Sequence, residues 1–599
     1  MTTARGFVGR SAMILFMLGL SMVALIVQLV RVQFGPFAPV FASQTQGGLG
    51  PVEKRDADRG LIFDRNGKLL ATNNYLFYLE VETRQLTDAS IKDIPVVLAE
   101  LLDLEELELK QQLTMMRNDS NYYRIRLRQK TSEGGWIPIT IDKVAAGILQ
   151  QFLQDPAGPD LTGLALVPDQ ERVYPAREIM GHVIGFVNQE GEGYFGVEGF
   201  YDDWLSGKPV NFQRAYIPFD AGAQADPTAG ANLVLTIDVD IQMSAATALR
   251  DAIEKTKAES GQVVVMDPKS GEILAMVAVP ELDPEHYEEW IRLDSDEERV
   301  VAPAVAGQFE PGSTFKTLVM AIALNEGVVS PGDEFMDTGE IEIGGHIIRN
   351  WDVEAYGPQN MLGCLQYSLN TCLAYVAFDK LGAARFYAGM EDFGIGSTTG
   401  IDMAGEVSGQ MRVPGDPTWT ESDLGTNAFG QGLSLTTMQL LTAVGAIANG
   451  GVMVQPHIVQ QVVGPQGEYW PKSTVLGRPI SEETANVISE MLHLALEAES
   501  SASLVPGYRL AGKTGTAQIA TEYGYDPHWT IASFIGWGPL DDPQFVVFVR
   551  VDKPQISPWG SVVAAPIFKE VVERLVIHLA IPPDDFRDQL VETNLGDED

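Results

Sequence analysis

Cysteine is almost missing from this 599-residue chain. The two that occur, Cys364 and Cys372, are too few for a disulfide framework. On one helix their eight-residue separation would hold them ~12 Å apart, beyond bridging distance. A loop between them would allow a bridge; two buried free thiols are the expectation. Histidine is also scarce: seven are scattered along the chain, with no CxxC or HExxH string. No metal site and no cofactor are therefore expected. Basic charge is short too, with 41 Lys and Arg against 81 Asp and Glu, a net charge of −40. Phosphate would be repelled, which excludes nucleic acid as a partner. Such a balance suits a self-repelling ectodomain.

Composition is otherwise that of a globular protein, 45% hydrophobic and 20% charged. The length exceeds what one compact core organises, so two or three domains are expected. One apolar run stands out, AMILFMLGLSMVALIVQLV at 12–30, without a single charge. It is close to the ~20 residues that a membrane-crossing helix needs. Arg5 and Arg10 precede it with no acid among the first eleven residues, which favours an inside N-terminus. A cleaved signal peptide ending at Ala42 is the alternative, but the run is long for one and Ala42 lies well past its end. The expectation is a cytoplasmic N-terminus at 1–11, a single transmembrane helix at 12–32, and everything after it outside the cytoplasm at the cell membrane.

Behind the span, the Gly- and Pro-containing stretch at 33–56 reads as a tether. RGLIFDRNGKLLATNNYLFYLEVE (59–82) alternates apolar and polar residues around Asn66-Gly67, a β-hairpin signature. Residues 91–154 turn to a helical pattern, and the stretch to 220 mixes short strands with a closing helix. A small-residue linker at 221–231 follows. Residues 261–280 read as two strands around Asp-Pro-Lys-Ser-Gly, 311–451 as helical, and three strand-like runs near the end precede a last helix. An antiparallel sheet built from both ends of 232–580, with helices between, is an α+β layered arrangement. The acidic tail at 581–599 reads as solvated and loose.

Chemistry gathers in the second half. GQFEPGSTFKTLVMAIAL (307–324) places Ser313 and Lys316 three apart at a helix start, one turn along one face. A lysine takes a serine proton only if its own pKa falls, which burial and neighbouring cations bring about. Alone, the spacing is as well explained by an exposed serine and a solvated lysine. YSLNT adds Ser368 and Asn370: a hydroxyl to relay a proton and an amide to hold a carbonyl, or two ordinary loop residues. GKTGTA adds Lys513, Thr514, Gly515 and Thr516 in a strand. The bare Gly515 would let a peptide lie along that edge as an added strand, or would mark a bulge; Lys513 and the two threonines suit a carboxylate.

Together and in this order, the three motifs resemble the active-site set of penicillin-binding proteins and serine β-lactamases. RGLIFDRNGKLLATN, RVYPAREIMGHVIGFV and GVEGFYDDWLSG resemble the pedestal motifs of class B penicillin-binding proteins, and LTIDVDIQ, FGQGLSLTTMQ and AAPIF resemble landmarks of the transpeptidase domain. The resemblance covers nearly the whole chain. It shows no glycosyltransferase domain, and Gln366 stands where a class A β-lactamase carries its deacylating glutamate. It implies a penicillin-binding transpeptidase fold, an antiparallel sheet covered by helices at 232–580, behind an elongated β-rich pedestal at 57–220. The implied reaction is D-alanyl-D-alanine transpeptidation. In it Ser313 is the nucleophile, Lys316 its base, and Ser368, Asn370 and Lys513 assist. Thr514, Gly515 and Thr516 bind substrate. Implied partners are peptidoglycan stem peptides, β-lactam antibiotics and a membrane glycosyltransferase of the division or elongation complex. A β-lactam sensor, a D,D-carboxypeptidase with the same site, and a non-catalytic scaffold of a wall-synthesis complex are the alternatives.

Overall fold

In the computed structural model, the described residues are 19, 21–22, 49–55, 57–118, 124–131, 134–215, 227–291, 301–499, 501–521, 524–587 and 589. The expected span at 12–32 lies outside them apart from three positions. Among the described residues no helix is long and apolar enough to cross a membrane. The chain divides into two compact units, Met1–Asp58 with Gly207–Gly230, and Arg59–Ser206 with Ala231–Asp599.

In the first unit, Leu49–Arg55 pairs antiparallel with Val210–Ala215. Residues 49–55, expected within a tether, are therefore a strand. Its partner lies over 150 residues away, out of reach of a local sequence reading.

The second unit begins with the expected hairpin. Ile62–Phe63 and Leu69–Glu82 pair around Asn66 and Gly67, and Gly67 takes the left-handed φ of 81° that the turn requires. The Asp64 carboxylate closes the turn by accepting the Asn66 and Lys68 N–H groups at 2.9 and 2.7 Å. Leu69–Glu82 then pairs along most of its length with Leu164–Val173. Helices Asp88–Leu102, Glu106–Asn118 and Lys143–Gln154 pack Ile94, Leu98, Leu113 and Leu149 onto Leu79 and Val81 of that strand. The expectation of helix throughout 91–154 fails in the middle. Arg124–Arg126, Arg128–Lys130, Trp136–Pro138 and Thr140–Ile141 are short strands. Here the alternation in RIRLRQK lets Arg126 meet Glu80 of the neighbouring strand at 3.1 Å.

The reading that the catalytic domain starts at 232 meets a continuous sheet. Asn232–Leu235 runs parallel to Ile62–Phe63 on one side and antiparallel to Val459–Gly464 on the other. Pedestal and catalytic segments therefore share an eight-stranded sheet. Next to it, three distant pedestal stretches converge on Glu198, which has no solvent exposure. Its carboxylate accepts from Arg59 Nε at 2.7 Å and from Arg172 Nε at 2.8 Å. Arg59 also reaches Asp202 at 2.7 Å, and Arg172 donates to Asn73 at 2.8 Å.

The catalytic region holds a five-stranded antiparallel sheet in the order Ile273–Val279, Ser260–Met266, Phe545–Asp552, Gly524–Gly538, Ala511–Thr521. Both faces are buried, which explains strands such as FVVFVRVD that are apolar at nearly every position. Val263, Val265, Val547 and Val549 face helices Val239–Thr256 and Gly560–His578. Val264, Met266, Trp537 and Phe548 face the large core around helices Lys316–Asn325 and Thr437–Ala448. Within the stretch expected as helical, two hairpins intrude: Glu334–Asp337 with Gly357–Asn360, and Glu340–Ile343 with His346–Arg349.

The start of the acidic tail is not loose as expected. Tyr508 donates to Ile581 O at 2.7 Å, the Asp584 N–H donates to Gly507 O at 2.9 Å, and Arg587 pairs with Asp541. Glu198→Ala leaves two buried guanidinium groups without their shared carboxylate. It is expected to cost about 3–5 kcal/mol, read as a lower denaturant midpoint for the cooperative unfolding of the second unit.

Candidate active site

Ser313 sits in a single 3₁₀ turn, Gly312–Phe315, that leads into helix Lys316–Asn325. With three residues per turn, side chains three apart line up, so the tighter winding aligns Ser313 with Lys316 more directly than the expected α-helix. The turn is wedged in place. Gly312 has φ 57°, its N–H donates to Gly430 O at 3.1 Å, and a Cβ there would lie 3.0 Å from Thr516 O. Glycine is what allows this approach.

Lys316 has no solvent exposure. Its Nζ lies within hydrogen-bonding distance of Ser368 O at 2.6 Å, Ser368 Oγ at 3.1 Å and Asn370 Oδ1 at 2.8 Å. All three partners are neutral, and none offsets a positive charge. Burial, reinforced by the nearby Lys513 cation, holds its pKa well below the ordinary lysine value. Lys316 thus has the property expected of a base for Ser313.

Ser368 and Asn370 lie on a turn between helices Met361–Gln366 and Asn370–Tyr375. Because the chain reverses here, the two cysteines are not on one helix. Cys364 and Cys372 form a disulfide with their Cα atoms 6.0 Å apart, which corrects the expectation of free thiols. Ser368 adopts φ 54°, the left-handed region that a non-glycine residue enters only when its surroundings hold it there. Residues with no motif signal support this turn from the hairpin side. The buried Asp337 accepts from Thr371 Oγ1 at 2.7 Å and Asn350 Nδ2 at 2.9 Å, and Asn370 Nδ2 donates to Arg349 O at 3.0 Å.

Lys513, Thr514, Gly515 and Thr516 lie on Ala511–Thr521, the edge strand of the five-stranded sheet. From the sequence, a peptide is expected to add at an edge strand, and this strand is the last in the sheet order. The role of Gly515 differs from that expectation. A Cβ there would come within 2.3 Å of Ser533 Oγ and 2.8 Å of Thr314 Cγ2. The missing side chain therefore lets the turn that carries Ser313 settle on the sheet; it does not clear space for a ligand. Pairing with Phe534, Ser533 and Ala532 is unbroken at this point, which excludes a bulge. Lys513 Nζ lies 3.4 Å from Thr514 Oγ1, and Thr516 Oγ1 accepts the Gly560 N–H at 3.1 Å.

Beyond Thr516 the strand enters an open cleft of about 1590 Å³, lined among others by Glu310, Arg412, Gln518, Tyr525 and Arg550. Glu310, three residues before Ser313, accepts from the Gly432 N–H at 3.0 Å and Tyr525 Oη at 3.1 Å. Burial raises its pKa. On the other side, Trp351, next to Asn350, meets Trp559, next to Gly560, edge to face at 5.0 Å. Neither the cleft nor this pair was legible in the sequence, since each joins residues far apart in the chain. The Lys513 cation lowers the Lys316 pKa, so Lys513→Ala should raise it. The acidic limb of the acylation-rate profile should then move to higher pH, measured with a chromogenic β-lactam.

A family model described as the penicillin binding protein transpeptidase domain matches residues 261–573. Another, described as the penicillin-binding protein dimerisation domain, matches 54–213. Stage V sporulation protein D of Bacillus subtilis is 32% identical over 544 residues, covering 88% of this chain and 79% of that protein. Peptidoglycan D,D-transpeptidase FtsI of Escherichia coli is 29% identical over 548 residues, covering 89% and 86%. Penicillin binding protein 2X from Streptococcus thermophilus shares the fold with a TM-score of 0.73 at 21% identity, covering 88% of this chain and 80% of that one. Two family models in sequence, relatives aligned along most of both chains, and a lysine buried against the Ser-Leu-Asn turn agree. The chain belongs to the class B penicillin-binding proteins and is a serine-type D,D-transpeptidase.

Proposed function

We propose that the chain is a membrane-anchored enzyme that cross-links peptidoglycan stem peptides through an acyl-enzyme on Ser313. The observation that carries this reading is the seat of Lys316: a fully buried amine, depressed in pKa, one 3₁₀ turn from Ser313. The donor stem lies along the free edge of Ala511–Thr521, its terminal carboxylate at Thr514 and Thr516. Ser313 Oγ attacks the penultimate D-Ala carbonyl while Lys316 takes its proton. The Ser313 and Thr516 N–H groups receive the oxyanion, a device worth about 10²–10³ in rate per donor. Ser368 and Lys513 return a proton to the departing D-Ala, and an amine of a second stem then displaces Ser313 from the ester. A β-lactam acylates the same serine, and its bulk stays on the ester.

The apolar run at 12–30 supports the anchor, with the N-terminus in the cytoplasm and the catalytic region outside. Cross-linking consumes nascent glycan, and neither family model matched is a polymerase. A membrane glycosyltransferase of the division or elongation complex therefore fits as partner. Its contacts would be the anchor and the hairpin at 59–73.

Labelling with fluorescent penicillin followed by mass spectrometry should place the adduct on the Ser313 peptide and lose it in Ser313→Ala. Lys316→Ala should stay folded and acylate about 10²–10⁴-fold more slowly. An adduct on another residue, or normal labelling of either variant, would refute the mechanism. Protease added to intact spheroplasts should digest the chain after the anchor. A protected catalytic region would overturn the topology.

A further inference from the structure

The turn carrying Ser368 and Asn370 has an unusual task. Among the described residues it supplies the oxygens that Lys316 Nζ is hydrogen-bonded to, two from Ser368 and one from Asn370. Its central residue stands at φ 54°, a conformation that a serine leaves readily once its neighbours relax. Hydrogen bonds hold the turn partly in place: the Leu369 N–H donates to Cys364 O at 2.9 Å and the Ser368 N–H to Leu365 O at 3.2 Å. The Cys364–Cys372 bond encloses this same segment. Both sulfurs are fully buried, on the helices that enter and leave the turn. The six-residue helix Met361–Gln366 is too short to hold its end by itself, while Asn370–Tyr375 continues directly into helical Val376–Leu381.

We propose that the Cys364–Cys372 disulfide is a positioning element of the active site, which fixes the Ser368–Asn370 turn as the seat of Lys316 and so sets the rate at which Ser313 is acylated. This rests on the reading of Lys316 as the base for Ser313. Without the bond, the two helices part and Ser368 relaxes toward ordinary backbone angles. Water then reaches Nζ, and the desolvation that depresses the pKa of the amine is relieved. The other charged groups around the seat are unchanged. Lys513 remains on the edge strand, and Asp337 and Arg349 remain behind Thr371 and Asn370. The direction is therefore fixed: the Lys316 pKa rises toward the ordinary lysine value, and the neutral fraction at a given pH falls.

The test compares the wild type with Cys364→Ala/Cys372→Ala on the full extracytoplasmic chain, measuring acylation by a chromogenic β-lactam from pH 6 to 10 alongside thermal unfolding. The expected result is a folded double variant acylated at least tenfold more slowly near neutral pH. Its acidic limb should lie at higher pH, so that the gap to wild type narrows toward pH 10. A bond that only stabilises the core would lower the unfolding temperature and leave rate and pH profile unchanged in the folded protein, and that outcome overturns the proposal. Should the double variant not fold, the wild-type chain is prepared with both thiols reduced and counted, assayed, and reoxidised. Recovery of rate on reoxidation supports the proposal, and equal rates in the two forms refute it. Lys316→Ala in parallel separates the two readings. Normal acylation there removes the base assignment itself, whereas a dead Lys316→Ala beside an unaffected double variant removes only the role of the disulfide.

Discussion

An amine taken out of water and given only neutral oxygens as partners is the constraint around which this active site is arranged. A buried ammonium without a counter-ion is costly, and a protein commonly relieves that cost by releasing the proton. Lys316 is in that position, with Ser368 and Asn370 around Nζ and a second lysine, Lys513, acting on it from the facing strand. The same features that make Lys316 an awkward core residue suit it to the role of base proposed for it. Nearby structure is concerned with keeping that environment dry and fixed, from the 3₁₀ turn that aligns Ser313 to the buried Asp337 that holds Thr371.

Three separate parts of the fold meet there. The helix carrying Lys316 comes from the core on one face of the five-stranded sheet, the Ser-Leu-Asn turn from the helical segment with its hairpins, and Lys513 from the sheet edge. Their close approach depends on glycines placed where a Cβ has no room. Gly312 lies against Thr516 O, and Gly515 against Ser533 and Thr314. An edge strand is an aggregation hazard in most proteins, yet here the edge strand lies beside the turn that carries Ser313 and continues into the cleft at Gln518. The pedestal is joined to this machinery through a shared sheet and is braced by the Arg59–Glu198–Arg172 cluster. A buried ion cluster of this kind adds little net stability over apolar packing, although removing one partner is costly.

The sequence by itself determined what local chemistry determines. Asn66-Gly67 between alternating residues dictated the hairpin, because that dipeptide takes the turn's backbone angles at low cost. The spacing of Ser313 and Lys316 survived a change of helix type, since residues three apart share a face at either 3.6 or 3.0 residues per turn. The order of the three motifs named the chemistry and the family. Only the tertiary structure decided what depends on residues distant in the chain. The cysteines pair because two helices reverse between them, where helical spacing argued the opposite. Gly515 is small for the sake of Thr314 and Ser533, which no strand pattern reveals. Asp337, Asn350 and Glu310 carry no motif and matter through where the fold brings them. Local propensity is encoded residue by residue, whereas burial, and with it the pKa of Lys316, belongs to the assembled core.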